Sequence, residues 1–283
     1  MTLSRSGSIK LFGDYPRLLL GGGGVFLVLV VAFISIFWTP ASPTDMDIST
    51  RLQGPALRHP LGTDQYGRDE LSRLMKGSTA SISVALAAVG IGALAGIALG
   101  VAATTTGYAL QETILRLVDA LYALPAVLLA LLITALLGPG IRNSTLAIGI
   151  FNIPVFARLT RGTLLSIQNK EYLVAARAVG VGFYGRAFRY LLPNAASTLV
   201  VQLSNSFARA LLAEAGLSYL GLGIQPPNPS WGTMLKNAQT FINQQPLLII
   251  YPGLAIMFTV LSFNLLADGL RDFLDPFLIA RRD

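Results

Sequence analysis

Residues 81–103 read SISVALAAVGIGALAGIALGVAA, a run without a single charged side chain. It is slightly longer than the roughly 20 apolar residues that an α-helix needs to cross a bilayer. Ala88, Gly92, Gly96 and Gly100 recur at every fourth position, and small residues at this spacing let a neighbouring helix approach closely. The stretch therefore predicts a membrane-spanning helix that packs tightly against another helix.

Five further apolar stretches are compatible with spanning helices, which predicts an all-α integral membrane protein with about six transmembrane helices. They cover residues 18–38, 120–137, 143–157, about 193–218 and 247–267. The first is longer than the core of a signal peptide and has no small-residue cleavage site, so we expect an uncleaved anchor. The third contains Pro125 and follows Arg116 and Asp119, whose spacing favours an ion pair. The fourth is short for a span, and its end past Arg158 is left open.

The composition agrees with a membrane protein and excludes several classes of function. Hydrophobic residues make up 53% of the 283 residues and charged residues only 12%, about half of the charged fraction in soluble domains. There is no cysteine, and the single histidine, His59, cannot build a multi-histidine centre, so we expect neither thiol chemistry nor a metal site. Basic loops at a membrane surface explain the net charge of +7 without a nucleic-acid partner.

The distribution of basic residues predicts the orientation in the membrane. With a cytoplasmic N-terminus, 13 of the 21 Lys and Arg lie on the cytoplasmic side and 7 on the other side. The expected order is a cytoplasmic segment (1–17), a first transmembrane helix (18–38), an extracytoplasmic loop (39–80), a core of five spans (81–270) and a cytoplasmic tail (271–283). Within the core, 158–195 is the long cytoplasmic loop and 219–246 an extracytoplasmic loop.

The long cytoplasmic loop carries the most informative segment, NKEYLVAARAVGVGFYGRAFRYLLP at 169–193. An Ala-rich helical stretch is followed by Gly180-Val181-Gly182 and then by a second helical stretch. Gly180 can adopt the left-handed conformation that ends a helix, and its missing side chain allows a tight turn. The segment predicts a helix-glycine-helix hairpin that presents a short helix to a partner.

This segment resembles the cytoplasmic loop of bacterial importer permeases of the ATP-binding-cassette (ABC) superfamily. Their pattern is E-A-A, three residues, G, nine residues, I, one residue, L-P, and this chain departs from it at Val174 and Tyr190. Glu171, one helical turn before Val174, is a candidate for the missing carboxylate. The resemblance implies a coupling surface for an ATPase subunit made of Glu171, Ala175, Ala176, Gly180, Gly182, Leu192 and Pro193. The plainer alternative is an amphipathic surface hairpin.

Further segments narrow the resemblance to the C-type membrane subunit of dipeptide, oligopeptide and nickel importers. They read HPLGTDQYGRD at 59–69, EAGLSYLGLG at 214–223, PPNPSWG at 226–232 and FNLLADGLRD at 263–272. In that family the outer face receives a substrate-loaded binding protein. The resemblance thus makes candidates for that docking surface of Gly62, Thr63, Asp64, Gly67, Arg68, Asp69 and Trp231. A purely structural lid is equally compatible with these segments.

A polar stripe runs along the fifth predicted span. Thr198, Gln202, Asn205 and Arg209 are spaced by four, three and four residues, which places them on one helical face. Polar groups at membrane depth usually face a bundle interior or a watery cavity, so this face is a candidate lining of a translocation path. Hydrogen bonding between two permease subunits is the alternative.

The sequence contains no ATP-hydrolysing motif. None of its four lysines follows a glycine, so the G-K-[ST] ending of a phosphate-binding loop is absent, and we expect no enzymatic activity and no cofactor in this chain. The resemblance implies a hetero-oligomer in the bacterial cytoplasmic (inner) membrane, with a second homologous permease, two ATPase subunits that bind ATP and Mg, and an extracytoplasmic binding protein. It suggests di- or oligopeptide substrates first, although similar permeases carry nickel, metal chelates or glutathione-like solutes. An ATP-independent secondary transporter, a channel or a membrane scaffold is the competing interpretation.

Overall fold

The computed structural model describes residues 15–123, 125–168 and 170–274. These residues fold into helices without a β-strand, which confirms the all-α prediction. The helices are α1 (Pro16–Phe37), α2 (Glu70–Thr105), α3 (Tyr108–Tyr122), α4 (Ala126–Leu137), α5 (Ile141–Ile167), α6 (Glu171–Ala178), α7 (Phe183–Arg186), α8 (Leu192–Tyr219), α9 (Trp231–Gln239) and α10 (Leu247–Leu274). A 3₁₀ turn covers Ile48–Thr50, and a π-helical turn, Ala187–Leu191, joins α7 to α8.

Within the described residues, three helices are both long and apolar enough to cross a membrane, namely α1, α2 and α10. α5 and α8 have 27 and 28 residues, a sufficient length, but they contain charged side chains. α4 is a shorter apolar helix. The count of six spans therefore stays a prediction, while helices occupy all six of the predicted positions.

Two glycine-lined contacts hold the long helices together. α1 packs antiparallel to α10, where a methyl group on Gly21 would overlap the backbone of Leu266. α2 packs along α5, and a methyl group on Gly96 would overlap the Cβ of Phe156. Gly92 and Gly100, one turn away on either side, make the same kind of contact with α5. The close approach predicted from the four-residue glycine spacing is confirmed.

The prediction that Pro125 lies inside a span is wrong. The helix ends at Tyr122, and α4 begins at Ala126, so Pro125 is the N-cap residue of a new helix. Proline lacks the N–H that a helix interior requires but fits immediately before a first turn. The third predicted span is thus divided between α3 and α4.

The predicted ion pair between Arg116 and Asp119 is also wrong. Arg116 Nε donates to Glu112 Oε1 at 3.0 Å, one turn earlier in α3. Asp119 Oδ1 instead accepts from an Arg158 terminal nitrogen of α5 at 2.6 Å. The Arg158 guanidinium also lies 4.0 Å above the ring centre of Tyr122. Spacing along one helix gave no information about this partner on a second helix.

Helices occupy the remaining predicted positions, and whether each one crosses the membrane stays a prediction. α5 continues past Arg158 to Ile167, and α10 begins at Leu247 and continues beyond residue 267. Residues 38–69 and 220–246 lie at one end of the bundle, which we call the cap end, and α6 and α7 lie at the other, the hairpin end. The predicted terminal segments 1–17 and 271–283 lie mostly outside the described residues.

Candidate functional site

The glycine-centred hairpin exists as the sequence predicts. α6 ends before Gly180, whose φ of 79° is in the left-handed region. The N–H of Val181 donates to the carbonyl oxygen of Ala176 at 3.0 Å, the bond expected when a left-handed glycine terminates a helix. No atom lies within 4 Å of where a side chain at Gly180 would begin. The glycine is therefore required by the backbone conformation and not by lack of space.

One side of the hairpin is anchored on the bundle, and the other is uncovered. Leu173 and Ala176 of α6 are buried, and Leu173 joins a small apolar cluster with Leu164, Leu191 and Ala195. Val179 is 80% exposed and Phe188 is 65% exposed. The hairpin thus presents apolar side chains at a fixed position, and no other described residue covers them.

The predicted coupling residues come together in this hairpin, but they do not share one surface. Glu171 opens α6 and is exposed, as are Gly180 and Gly182 in the turn. Ala175 lies within α6, and Leu192 and Pro193 form the first turn of α8. Ala176 faces the bundle and is buried.

The polar stripe of α8 lies on a side that the rest of the chain leaves largely open. Thr198 and Arg209 are exposed, and Gln202 and Asn205 are half-buried. Two of these side chains meet at Ser206, whose Oγ accepts from Gln202 Nε2 at 3.0 Å and from Arg209 at 3.4 Å. This exposure is compatible with both a path lining and a subunit interface, so the role of the stripe stays a prediction.

The cap is organised around a buried ionic cluster at the start of α2. Asp64 Oδ2 accepts a hydrogen bond from Arg68 Nε at 2.7 Å and forms an ion pair with Arg73, whose Nε lies 3.3 Å away. Asp69 caps α2 by accepting from the N–H and the hydroxyl of Ser72, at 2.8 and 2.6 Å. His59 Nδ1 lies 2.9 Å from the other oxygen of Asp69. The cluster fixes residues 59–69 onto α2.

The second family-like segment, 214–232, folds against the same helix. The indole N–H of Trp231 donates to the carbonyl of Leu74 at 3.0 Å. Ser218 Oγ donates to the buried carboxyl of Glu214 at 2.6 Å and accepts from the N–H of Ile224 at 3.1 Å. Ser230 caps α9 through a reciprocal pair of bonds with Thr233. The segment therefore returns from α8 to α2 and closes the cap end.

Comparison with known proteins shows which family this chain belongs to. The sequence pattern of the family described as "Binding-protein-dependent transport system inner membrane component" matches residues 73–280. The chain belongs to this family. The match includes the hairpin, the α8 stripe and the 214–232 segment, while it starts after the ionic residues 59–69 of the cap.

Several permeases resemble the chain over most of their length. The di/tripeptide transport system permease protein DppC of Pseudomonas aeruginosa is 41% identical over 90% of this chain and 87% of its own length. The dipeptide transport system permease protein DppC of Alkalihalophilus pseudofirmus is 39% identical over 89% and 84%. The glutathione transport system permease protein GsiD of Pectobacterium atrosepticum is 40% identical over the same shares. The chain is a multi-pass inner-membrane permease subunit of an ABC importer.

The residues predicted to dock a binding protein on this permease are buried. Thr63, Asp64, Arg68, Asp69 and Trp231 are each at most 4% exposed, and Gly62 and Gly67 are buried as well. Both glycines have positive φ values and face backbone carbonyls that a side chain would overlap. Since a partner cannot touch buried side chains, the structure favours the lid interpretation for these residues. They brace the cap from within.

The cap end of the permease also carries exposed side chains that sequence reasoning missed. Met46, Ile48 and Leu57 are exposed apolar side chains beside the exposed Arg51 and Arg58. Single apolar residues in a loop rich in turns carry no periodic signal, so no pattern singled them out. Within the described residues, no group of three or more His, Asp or Glu is placed to hold a metal ion.

Glu70, at the start of α2, is an acidic residue of the cap end whose pKa is shifted by its surroundings. α2 has 36 residues and is about 54 Å long at the usual helical rise, far more than the roughly 30 Å of bilayer hydrocarbon, so its first turn lies outside the spanning part. Burial raises the pKa of Glu70 to about 8, although Arg73 acts in the opposite direction. Burial and the neighbouring Arg68 also lower the pKa of Arg73. The cap therefore contains a carboxyl group that is largely neutral at pH 7.

Proposed function

We propose that this permease forms, with a second homologous permease, the membrane path of an ATP-driven importer of small peptides. The similarity to DppC and GsiD proteins over about nine-tenths of the chain carries the choice of substrate. The substrates named for these relatives are di- and tripeptides, dipeptides and glutathione, which are all small peptides with a free carboxylate. Nickel and metal chelates receive no support from these names.

The hairpin is our candidate for the contact with the ATPase subunits. The left-handed turn at Gly180 fixes its backbone, and its exposed apolar residues, Val179 and Phe188, are left uncovered by the part of the chain that the structure describes. Apolar side chains on a rigid, uncovered element favour docking of another protein. Two ATPase subunits would dock on the hairpins of the permeases and would themselves bind ATP and Mg. This chain would contribute no catalytic group and no cofactor.

The proposed orientation places the hairpin and both termini in the cytoplasm and the cap outside. The excess of Lys and Arg in residues 158–195 supports this orientation. ATP-driven closure of the ATPase subunits would move the hairpin and switch the helices between inward-facing and outward-facing arrangements. ATP can shift the equilibrium between these two arrangements by no more than the difference in its binding free energy to them. The α8 stripe is our candidate for part of the path between them.

The cap end would receive the substrate-loaded binding protein. The buried cluster around Asp64 would hold the cap rigid, and the exposed residues Met46, Ile48 and Leu57 are the candidates for direct contact. The family description, which names binding-protein-dependent transport, supports this assignment.

The test is uptake by the purified complex in proteoliposomes. Labelled dialanine, trialanine and glutathione would be offered with the binding protein outside and ATP inside. Val179→Asp is expected to release the ATPase subunits during purification, whereas Leu57→Asp, an equivalent change at the cap end, should keep them and weaken the response to the binding protein. Uptake driven by an ion gradient without ATP, or no uptake of any peptide, would overturn the proposal.

A further inference from the structure

A cavity of about 400 Å³ opens at the cap end between α2, the start of α5 and the 220–230 loop. Its volume is in the range of small-molecule sites. Residues of three different segments line it, including Gly140 before α5, and its polar side chains are Lys76 and Thr79 of α2 and Gln225 and Asn228 of the loop. The cavity is therefore not a fault in the packing of a single helix pair.

The cavity continues into a groove along α2. Ile141 lines both spaces, and the second space, about 510 Å³, extends past Ser83 and Ala87 to Arg142 and Thr145. The α2 residues that line the two spaces are small or polar apart from Val84, and they recur at helical spacing from residue 76 to residue 87. By contrast, Leu86 is 63% exposed and Leu94 is 78% exposed. A lipid-facing surface carries large apolar side chains of this kind, and the α2 side of the groove lacks them, whereas Ile141 and Leu146 of α5 give its other side an apolar lining.

The only charged side chains along this route are two cations. Lys76 donates to the carbonyl of Ser35 at 3.4 Å, a long hydrogen bond that leaves the other ammonium protons available. No ion pair joins Lys76 or Arg142 to an acidic group within the described residues. Unpaired cations beside a cavity favour an anionic ligand.

We infer that this cavity is the entry site of the path and that Lys76, with Arg142 further along the groove, binds carboxylate groups of the transported peptide, including the carboxylate of an acidic side chain. This inference rests on the proposed function and adds a site to it. The peptide would leave the binding protein with its carboxylate directed toward Lys76, and the amide groups of Gln225 and Asn228 would face its backbone. An anionic lipid headgroup is the competing occupant of the same charges.

The experiment measures uptake of alanyl-glutamate and alanyl-lysine by the complete complex in the same proteoliposomes. The result is expressed as the uptake rate of alanyl-glutamate divided by that of alanyl-lysine, so that changes in assembly or in the amount of active complex cancel. Because the same binding protein is used throughout, its own selectivity also cancels when a variant is compared with the wild type.

Lys76→Glu is expected to lower the ratio about tenfold, near the lower end of the contribution of a hydrogen bond to a charged group, because the cavity is open to water. Lys76→Arg keeps the charge and should keep the ratio. Lys236→Glu makes the same charge change at an exposed position of α9 without lining either space, and it should also leave the ratio unchanged.

The outcomes separate the two proposals. An unchanged ratio in Lys76→Glu, with ATP-dependent uptake present, would overturn the entry site and leave the importer function standing. The same holds if Lys76→Glu slows both peptides equally and the loss depends on the anionic lipid content, which would assign the cations to a lipid headgroup. Absence of ATP-dependent uptake in the wild type would overturn the proposed function itself.

Discussion

The hairpin offers a sharp test because two of its glycines differ in a single respect. Gly180 has a φ of 79°, whereas Gly182 is not among the glycines with positive φ in the described residues. Neither has any atom within 4 Å of the place where a Cβ would be built. Alanine at both positions therefore adds the same volume to open space, and only Gly180→Ala strains the backbone.

The left-handed conformation costs an L-residue other than glycine about 1–2 kcal/mol. The hairpin's local opening equilibrium should shift by this amount, a factor of about 5–30. Gly180→Asn should recover part of the loss, since asparagine adopts this conformation more readily than alanine. Gly182→Ala should have almost no effect.

Hydrogen exchange of the intact complex, read on the amides of α6 and of residue 181, measures this opening directly. The ratio of peptide uptake to ATP hydrolysis in the same samples measures coupling. We expect both to change in Gly180→Ala and neither in Gly182→Ala. Equal exchange rates in the two variants would refute the argument from backbone conformation, while faster exchange with unchanged coupling would refute only the proposed role of the hairpin.

Three further predictions concern the rest of the molecule. The folded-state pKa of Glu70 is raised from 4.5 to about 8, so its contribution to the free energy of unfolding is fully present below pH 4.5 and is lost as the pH rises to 8. Thermal unfolding of the complex between pH 5 and 9 should show a loss of roughly 4–5 kcal/mol, and Glu70→Gln should flatten this pH dependence. Gly96→Ala should destabilise the α2–α5 contact, whereas Gly90→Ala, with open space around it, should be neutral or stabilising by up to about 1 kcal/mol, as the melting temperatures will show. Asp64→Asn leaves two buried guanidinium groups without their carboxylate partner and should lower the free energy of unfolding by about 3–5 kcal/mol. Asp119→Asn breaks an exposed ion pair worth at most about 1 kcal/mol, so similar losses for the two variants in denaturation experiments would contradict this ranking.

The parts of this fold that follow from sequence are those fixed by local chemistry. An uncharged run predicts a spanning helix because the bilayer provides no other solvent for it, and a four-residue glycine spacing predicts close packing because it clears one face. The left-handed turn at Gly180 follows from the same reasoning, since few residues other than glycine adopt that φ. Each of these inferences needed only the residues of a single segment.

Apart from the helix break at Pro125, the differences from the sequence predictions concern contacts between segments. Asp119 has a basic residue three positions before it in α3, yet it pairs with Arg158 of α5, because helix packing brings that guanidinium within 2.6 Å. The turn-rich segment 59–69 contains the polar residues expected of a docking surface, yet Asp64 is buried between Arg68 and Arg73. A carboxylate that two guanidinium groups neutralise can be buried, and this pairing is visible only once the cap has folded onto α2. Polarity in a loop is thus weak evidence of exposure when acidic and basic residues alternate within it. This is why the more promising contact residues of the cap are isolated apolar side chains such as Leu57, which no sequence pattern distinguishes.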